Sequence, residues 1–135
     1  MKARREFDPR WTLTPEGAVI IVGPDGFSLT CDGDVILQLR WDQVQQIGAF
    51  TRFRQHEPEL CLSFAVAQKQ NVQLVVHERV KGWDDLCAAL PAAFRSADAD
   101  WRAKAAHDRT TPEAYASVAS NVPVFTVNPT VVWAK

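Results

Sequence analysis

The hydrophobic periodicity changes from strand-like to helical near residue 80, and that change constrains the fold more than any other feature. Over residues 17–78, apolar and polar residues alternate with a period of two, which is the pattern of half-buried β-strands. In the segment GWDDLCAALPAAF (82–94), apolar residues instead recur at helical spacing. The sequence therefore predicts a mainly β domain of the α+β class, in which an antiparallel sheet is capped by one amphipathic helix.

Short turns separate the strand-like segments. The turn GPDG (23–26) and the Asp-Gly signal in DGD (32–34) divide the first part of the chain into a three-stranded meander. These connections are too short for the crossover that parallel neighbours require, so we expect antiparallel pairing. A loop is predicted at 55–59, and a turn at 67–71. The predicted strands are 17–22, 27–31, 35–41, 44–54, 60–66 and 72–78.

Alternation also predicts which side chains point inward. In 35–41, one face carries Val35, Leu37, Leu39 and Trp41, and we expect that face to be buried. In the predicted helix, Pro91 is expected to end or kink the regular structure near Leu90, because proline cannot donate the backbone hydrogen bond. The structural core is predicted to include Trp41, Trp83, Leu86 and Leu90.

The last forty or so residues are less regular. Many of them are aromatic or β-branched, which argues against a disordered tail, so we expect this end to dock on the core. We therefore predict a single domain over 1–135, with its core at 17–94 and a C-terminal extension at 95–135. Within the extension we predict helices in 96–107 (capped by Ser96 or Asp98) and 111–119, extended chain at 122–127, a turn at 128–129 and a strand at 130–133.

Charge and cysteine content limit the classes of partner that we expect and the compartment in which the protein works. The chain has 15 basic and 16 acidic side chains, whereas duplex-binding domains carry a basic excess, so we expect no nucleic-acid partner. No apolar run approaches the roughly 20 residues that span a bilayer, so we expect no membrane segment. Cys31, Cys61 and Cys87 are odd in number and widely spaced, without a CxxC pair. We interpret them as reduced thiols in a cytoplasmic protein.

No motif in the chain indicates catalysis, a metal or a cofactor. His77 and Glu78 begin like a zinc-protease motif, but Lys81 stands where the second histidine is required. Asp84 and Asp85 are adjacent on a predicted helix, so their carboxylates diverge by about 100° and do not converge on one substrate. We therefore expect a non-catalytic protein, although an enzyme remains an alternative.

One cluster of polar residues is a candidate binding site. Arg52, Arg54 and His56 follow one another at the end of a predicted strand and in the loop after it. Such a cluster can contact an anion or a protein partner. The alternative is a solvated strand edge, where charges prevent edge-to-edge pairing.

Two segments resemble small bacterial pleckstrin-homology-like (PH-like) proteins of uncharacterised function: GDVILQLRWDQVQQI (33–47) and KGWDDLCAALP (81–91). The resemblance covers about residues 17–94 and implies a bent antiparallel sheet, or partly open barrel, closed by one helix. Phosphoinositide binding, the best-known role of that family, needs a basic first hairpin loop. Here that loop contains Asp25 and no cation, so we do not expect it. The matching residues are Arg40, Trp41, Asp42, Val44, Gly82, Trp83, Asp84, Leu86, Leu90 and Pro91.

These observations favour a protein-interaction module that binds another protein or a second copy of itself. Trp11, Trp101 and Trp133 are not used by the barrel pattern, and we expect such aromatic residues at a contact surface. A small-molecule binder or enzyme is the first alternative, with a cleft beside the extension that holds His107, Arg109 and Tyr115. An immunity or inhibitor protein is the second.

Overall fold

The computed structural model describes residues 11–13, 17–54, 57–66, 73–106, 115–117 and 125–135. The secondary structure of these residues is mainly strand, with one long and one short α-helix. The elements are β1 (Trp11–Leu13), β2 (Val19–Gly23), β3 (Gly26–Cys31), β4 (Asp34–Arg40), a 3₁₀ helix (Trp41–Gln43), β5 (Val44–Arg54), β6 (Glu57–Val66), β7 (Gln73–His77), α1 (Trp83–Ala93), α2 (Trp101–Ala105), β8 (Tyr115–Ser117) and β9 (Phe125–Ala134).

The strands form two sheets. One has three strands in the order β2-β3-β4, and the other has six in the order β1-β7-β6-β5-β9-β8. All the pairs are antiparallel except β1 with β7, which are parallel. The predicted α+β, mainly β class with antiparallel sheets and one main helix is confirmed, and the described strands do not close into a barrel.

The three-stranded sheet follows the predicted meander, with one irregularity. Asp32 and Gly33 both have positive φ, 55° and 85°, as a two-residue type I′ hairpin turn requires. The β3–β4 register then shifts: Leu37 opposes Leu29, but Val35 opposes Thr30, so a bulge leaves Ile36 unopposed. The prediction that Val35 points inward is therefore wrong, because the bulge interrupts the alternation and Val35 is exposed.

The strands β5, β6 and β7 confirm the predicted order, with one change at their first connection. The predicted loop 55–59 is shorter than expected because β6 already begins at Glu57, and Glu59 opposes Arg52 on β5. The other two residues of that loop, Gln55 and His56, and the whole predicted turn 67–71 lie outside the described residues.

Helix α1 confirms the predicted helix and extends further than expected. It continues through Pro91 to Ala93, and the backbone N–H of Phe94 still donates to the Leu90 carbonyl at 2.8 Å. Pro91 lies in the last turn, so its missing N–H removes little of the helical ladder. At the other end, Gly82 caps the helix with φ 94°. A Cβ on Gly82 would collide with the backbone of Ile20, so β2 and the helix start approach as closely as glycine permits.

The main core lies between the inner faces of the two sheets and α1. Trp83, Leu86 and Leu90 are buried there, and Trp41 is half-buried against it. Phe27 of the three-stranded sheet meets Phe64 of the six-stranded sheet, with ring centroids 5.2 Å apart. The buried residues of this core are Ile20, Phe27, Leu29, Leu39, Val44, Ile47, Ala49, Leu62, Phe64, Leu74, Val76, Val80, Trp83, Leu86, Leu90, Phe94, Trp101, Ala105 and Val132.

Two tryptophans that we expected at a contact surface belong to this core. Trp101 is buried, and its ring lies edge-on to Trp83 with centroids 6.3 Å apart. Trp133 packs on Phe94 at 4.6 Å. The expectation of a contact role is therefore wrong for Trp101, because the residues after α1 complete the core, and it stays a prediction for Trp133, which is only partly buried. The side chain of Trp11 lies outside the described residues.

The C-terminal part joins the six-stranded sheet. Strand β9 lies between β5 and β8, so the expectation that this end docks on the core is confirmed. The predicted turn at 128–129 is wrong: β9 runs through Asn128 and Pro129, where a register shift against β5 accommodates a proline that cannot donate to the ladder.

The predicted helix 111–119 is wrong at 115–117, which form β8. Of the helix predicted in 96–107, the described residues form only α2. Its N-cap residue is Asp100, not Ser96 or Asp98 as predicted.

Candidate functional site: the outer face of the three-stranded sheet

The structure places the predicted binding residues in different surroundings. Arg52 is buried, with 5% of the residue exposed. Arg54 lies at the end of β5 but its side chain, like the whole of His56, lies outside the described residues. The assignment of Arg52, Arg54 and His56 as a binding site stays a prediction, and the surroundings of Arg52 can be described directly.

Arg52 forms a buried ion pair with Glu59, the residue opposite it on β6. The Nε and Nη2 groups of Arg52 both donate to Oε2 of Glu59, each at 2.6 Å. The second carboxylate oxygen, Oε1, lies 3.8 Å from both Nδ1 of His77 and Nε of Arg79. The Glu59 side chain is 1% exposed, so the two arginines replace the water that its charge would otherwise need.

This ion cluster is part of the outer face of the six-stranded sheet, which is buried. Phe50, Cys61 and Val75 form a second apolar cluster there, on β5, β6 and β7. Cys61 lies opposite both Phe50 and His77 in the strand register, which brings the apolar cluster and the ion cluster together. The centre of this face is therefore buried and stabilising, whereas Val131 on β9 of the same sheet is 56% exposed.

The residues that resemble the start of a zinc-protease motif also have structural roles. The Nδ1 atom of His77 accepts the backbone N–H of Arg79 at 3.3 Å. The carboxylate of Glu78 accepts the backbone N–H of Leu60 at 2.8 Å. The first contact is local to the end of β7, and the second fixes that end against β6. In the described part of the chain, no group of three or more His, Cys, Asp or Glu residues could hold a metal ion.

The outer face of the three-stranded sheet is open by contrast. Ile21, Val35 and Ile36 are 53%, 57% and 46% exposed. Val35 on β4 lies opposite Thr30 on β3, and Thr30 lies opposite Val19 on β2. Ile21 on β2 lies opposite Ser28 on β3. Because of the bulge, Ile36 and Val35 are both exposed although they are neighbours in sequence. We call the surface formed by Ile21, Val35 and Ile36 the exposed sheet face.

A shallow groove of about 320 Å³ lies beside the exposed sheet face. It runs from Ile21 over the β2–β3 turn to the end of β4, where Ser28, Gln38 and Arg40 supply polar groups. Arg40 is exposed, and its Nη2 donates to Asp42 at 2.7 Å. Apolar side chains bordered by hydrogen-bonding groups are typical of protein contact surfaces.

The two edges of the three-stranded sheet also differ. On β2, the backbone N–H of Ile20 donates to the Lys81 carbonyl at 2.8 Å, so the segment before α1 covers this edge. Among the described strands, β4 pairs with β3 alone, which leaves its second side as a sheet edge. An edge strand presents backbone N–H and C=O groups that can pair with another chain.

One of the three thiols, that of Cys87, is made unreactive by its surroundings. Cys31, Cys61 and Cys87, all within the described residues, form no disulfide. Burial raises the pKa of Cys87 to about 11, although the nearby Arg102 lowers it in part. A thiol with this pKa is protonated at neutral pH and is a poor nucleophile.

Comparison with models of known families, with curated proteins and with solved structures finds no match for this chain. Among the described residues, no helix has the length and apolar character needed to cross a membrane.

Proposed function

We propose that this chain is a non-catalytic protein-interaction module that binds its partner through the exposed sheet face. One observation carries the proposal: Ile21 on β2 and Val35 and Ile36 on β4 lie on the same outer face of one sheet and remain about half exposed, with Ser28 and Thr30 of β3 between them. Large apolar side chains are costly to leave in water, and their accumulation on one face is typical of contact sites in soluble proteins.

The contrast within the molecule supports the same surface. On the six-stranded sheet, the centre of the outer face is buried and its central ion pair is enclosed, and among the described residues Val131 is the one large apolar side chain of that sheet that is strongly exposed. The charged groups around the exposed sheet face, Asp25, Asp34 and the ion pair Arg40–Asp42, lie at its borders, and no titratable side chain stands among Ile21, Val35 and Ile36. A surface of this composition acts by contact.

We also propose that the domain is a PH-like scaffold of bacterial type and that it works in the cytoplasm. Two packed, mostly antiparallel sheets followed by an amphipathic helix support the first part. The strand β9, inserted beside β5 after the helix, is an addition to the expected core. Three cysteines without a disulfide support the second part, because reducing compartments keep thiols reduced.

A matched pair of variants tests the interaction surface. Val35 and Val131 are the same residue type with nearly equal exposure, 57% and 56%, but they lie on different sheets. Immobilised wild type, Val35→Lys and Val131→Lys are exposed to extract of the native cells, and captured proteins are quantified by mass spectrometry. We expect a set of proteins that wild type and Val131→Lys retain equally and that Val35→Lys loses. Equal capture by all three chains would contradict the proposal.

A further inference from the structure

The outward side chains of the three-stranded sheet are small on its central strand and large on the two flanking strands. On β3, Phe27 and Leu29 are buried in the core, so the residues that alternate with them point outward. These outward residues are Gly26, Ser28 and Thr30. The exposed residues that flank them on β2 and β4 are Ile21, Val35 and Ile36. Together they form a trough along β3, with the first three residues as its floor and the second three as its walls, and we call it the β3 trough.

The strand register fixes the positions of floor and walls. Ile21 lies opposite Ser28, and Val35 lies opposite Thr30, so a wall residue stands beside each of these floor residues. Ser28 and Thr30 are half-buried between the more exposed walls. The groove of about 320 Å³ is one end of the β3 trough, because Ile21, Gly26 and Ser28 line it.

The width and length of the β3 trough fit an α-helix. The strands β2 and β4 are two strand spacings apart, which is about 9.5 Å, and a helix with its side chains is about 10 Å across. The six residues of β3 extend over about 20 Å, which corresponds to about 13 residues of helix. A single extended strand is about half as wide and would contact one wall. The apolar stripe of an amphipathic helix can enter such a groove and cover both walls.

The charges at the ends of the β3 trough are acidic. Residues 17–43, which form this sheet and the 3₁₀ helix, contain four aspartates and one arginine, although the whole chain has 16 acidic and 15 basic side chains. Asp25 in the β2–β3 turn and Asp32 in the β3–β4 turn are exposed at opposite ends of β3. Neither of them forms an ion pair with a cation of the described chain.

The cations of this region do not cancel that charge. Arg40 points to the same face as the floor, but Asp42 neutralises it at 2.7 Å. Lys81 adds one cation at the covered edge of β2. Asp34 lies opposite Cys31 and therefore points to the other face, so it contributes at longer range. Cationic groups on a partner, one near each end of the β3 trough, would complement Asp25 and Asp32.

We propose that the β3 trough binds an amphipathic, cationic α-helix of a partner protein. The apolar stripe of the helix lies between the walls, and its lysine or arginine residues contact Asp25 and Asp32. The inference rests on the proposed function, because it names the kind of partner that the exposed sheet face accepts.

Selection from a random peptide library tests the class of partner. A phage-displayed library of peptides of about 14 residues, long enough to span the trough as a helix, is selected on immobilised wild type. Peptides that also bind Ser28→Leu are discarded, because a leucine at Ser28 fills the floor. We expect the enriched peptides to carry apolar residues at i, i+3, i+4 and i+7 and an excess of lysine and arginine.

Dissociation constants test the shape of the trough. Fluorescence anisotropy measures the most enriched peptide against wild type, Ser28→Leu, Thr30→Leu and Ser28→Ala. Both leucine variants fill the floor and should weaken binding at least about tenfold, whereas Ser28→Ala leaves the floor open and should stay within about twofold. Circular dichroism should show that the peptide becomes helical on binding to wild type. Thermal unfolding of each variant, at positions that face outward, verifies that the fold is intact.

A matched pair of double variants tests the charges. Asp25→Asn with Asp32→Asn removes the carboxylates at the ends of the trough, and asparagine tolerates the positive φ of Asp32. We expect binding to weaken about threefold to tenfold at low salt, with a smaller effect at high salt. Asp84→Asn with Asp85→Asn removes the same number of charges from the exposed first turn of α1 and should leave binding unchanged.

Other outcomes overturn the proposal. Enriched peptides with apolar residues in a period of two would identify an extended segment as the occupant, and acidic peptides would contradict the charge argument. No enrichment, or binding that neither leucine variant weakens, would exclude the β3 trough as the site.

The same measurements separate this inference from the proposed function. Capture from cell extract that depends on Val35, without selection of helical peptides, would remove the helix and leave the interaction surface. Helical peptides that depend on Ser28, with capture independent of Val35, would leave the helix site and remove the wider role.

Discussion

The two sheets of this domain share one core through their inner faces, but their outer faces differ. On the six-stranded sheet, Phe50, Cys61 and Val75 are buried, and Glu59 has its charge balanced by arginine. On the three-stranded sheet, Ile21 and Val35 are exposed. Burial at the centre of both faces makes the first sheet the stable frame of the domain. Exposure on one side leaves the second sheet available for contact.

We expect the largest difference in stability between the two regions when their ion pairs are broken. Glu59→Gln leaves the buried Arg52 without its counter-charge, and breaking a buried pair costs about 3–5 kcal/mol of unfolding free energy. The matched control is Asp42→Asn, which breaks the exposed pair with Arg40 and should cost at most about 1 kcal/mol. Chemical denaturation of both variants gives the two numbers. Equal losses would show that the outer face of the six-stranded sheet is not the stabilising one.

The shared inner core is tested at Trp83. Trp83→Ala removes a large side chain that contacts Trp101 and lies between both sheets, so we expect a loss of about 3–5 kcal/mol. The two sheets should still unfold in one transition, because they share this core. A loss below about 1 kcal/mol, or separate transitions for the two sheets, would show that α1 does not join them.

The covered edge of the three-stranded sheet is tested at Gly82. Both Gly82 and Gly33 have positive φ, at 94° and 85°, but only a Cβ at Gly82 meets another part of the chain, the Ile20 backbone. Gly33→Ala should therefore cost about 1 kcal/mol from backbone strain alone, and Gly82→Ala should cost at least about 2 kcal/mol. Thermal or urea unfolding compares them. Equal costs would mean that the close approach of β2 and α1 contributes nothing.

The smallest effect concerns Cys87 on α1. Burial raises the pKa of this thiol from 9.0 to about 11, so at pH 9 it should react with iodoacetamide far more slowly than a small model thiol. The same pKa shift predicts that stability falls as pH rises from about 9 to 11, because the unfolded chain loses this proton first. Peptide mapping after timed alkylation measures the rate. A Cys87 as reactive as the model thiol would place it at an exposed surface.

Local patterns in the sequence were sufficient to predict much of the fold. Alternation located β5 and β7, the Asp-Gly signal located the β3–β4 turn, and the spacing of Trp83, Leu86 and Leu90 identified the inward face of α1. Each of these features depends on neighbours within a few residues. Because the hairpins and the helix are local, the mainly β class followed from the sequence.

The features that define the candidate site depend on distant or exceptional contacts. Polar residues at 55–59 predict a loop, yet Glu59 is drawn into β6 by a cross-strand partner on β5. A one-residue bulge, which the residue types around it do not indicate, leaves both Val35 and Ile36 exposed. Strand β9 pairs with β5, which is distant from it in the sequence, so local patterns could not predict its position in the sheet.

Side-chain footprinting with hydroxyl radicals tests the difference between the two outer faces most directly. Dilute protein, below the concentration at which any dimer forms, is labelled briefly, and mass spectrometry measures the modification of each residue. We predict strong modification of Ile21 and Ile36, and protection of Phe50 and Cys61 until the protein is unfolded. Equal modification of the two sets, or protection of Ile21 and Ile36 in the monomer, would contradict the account.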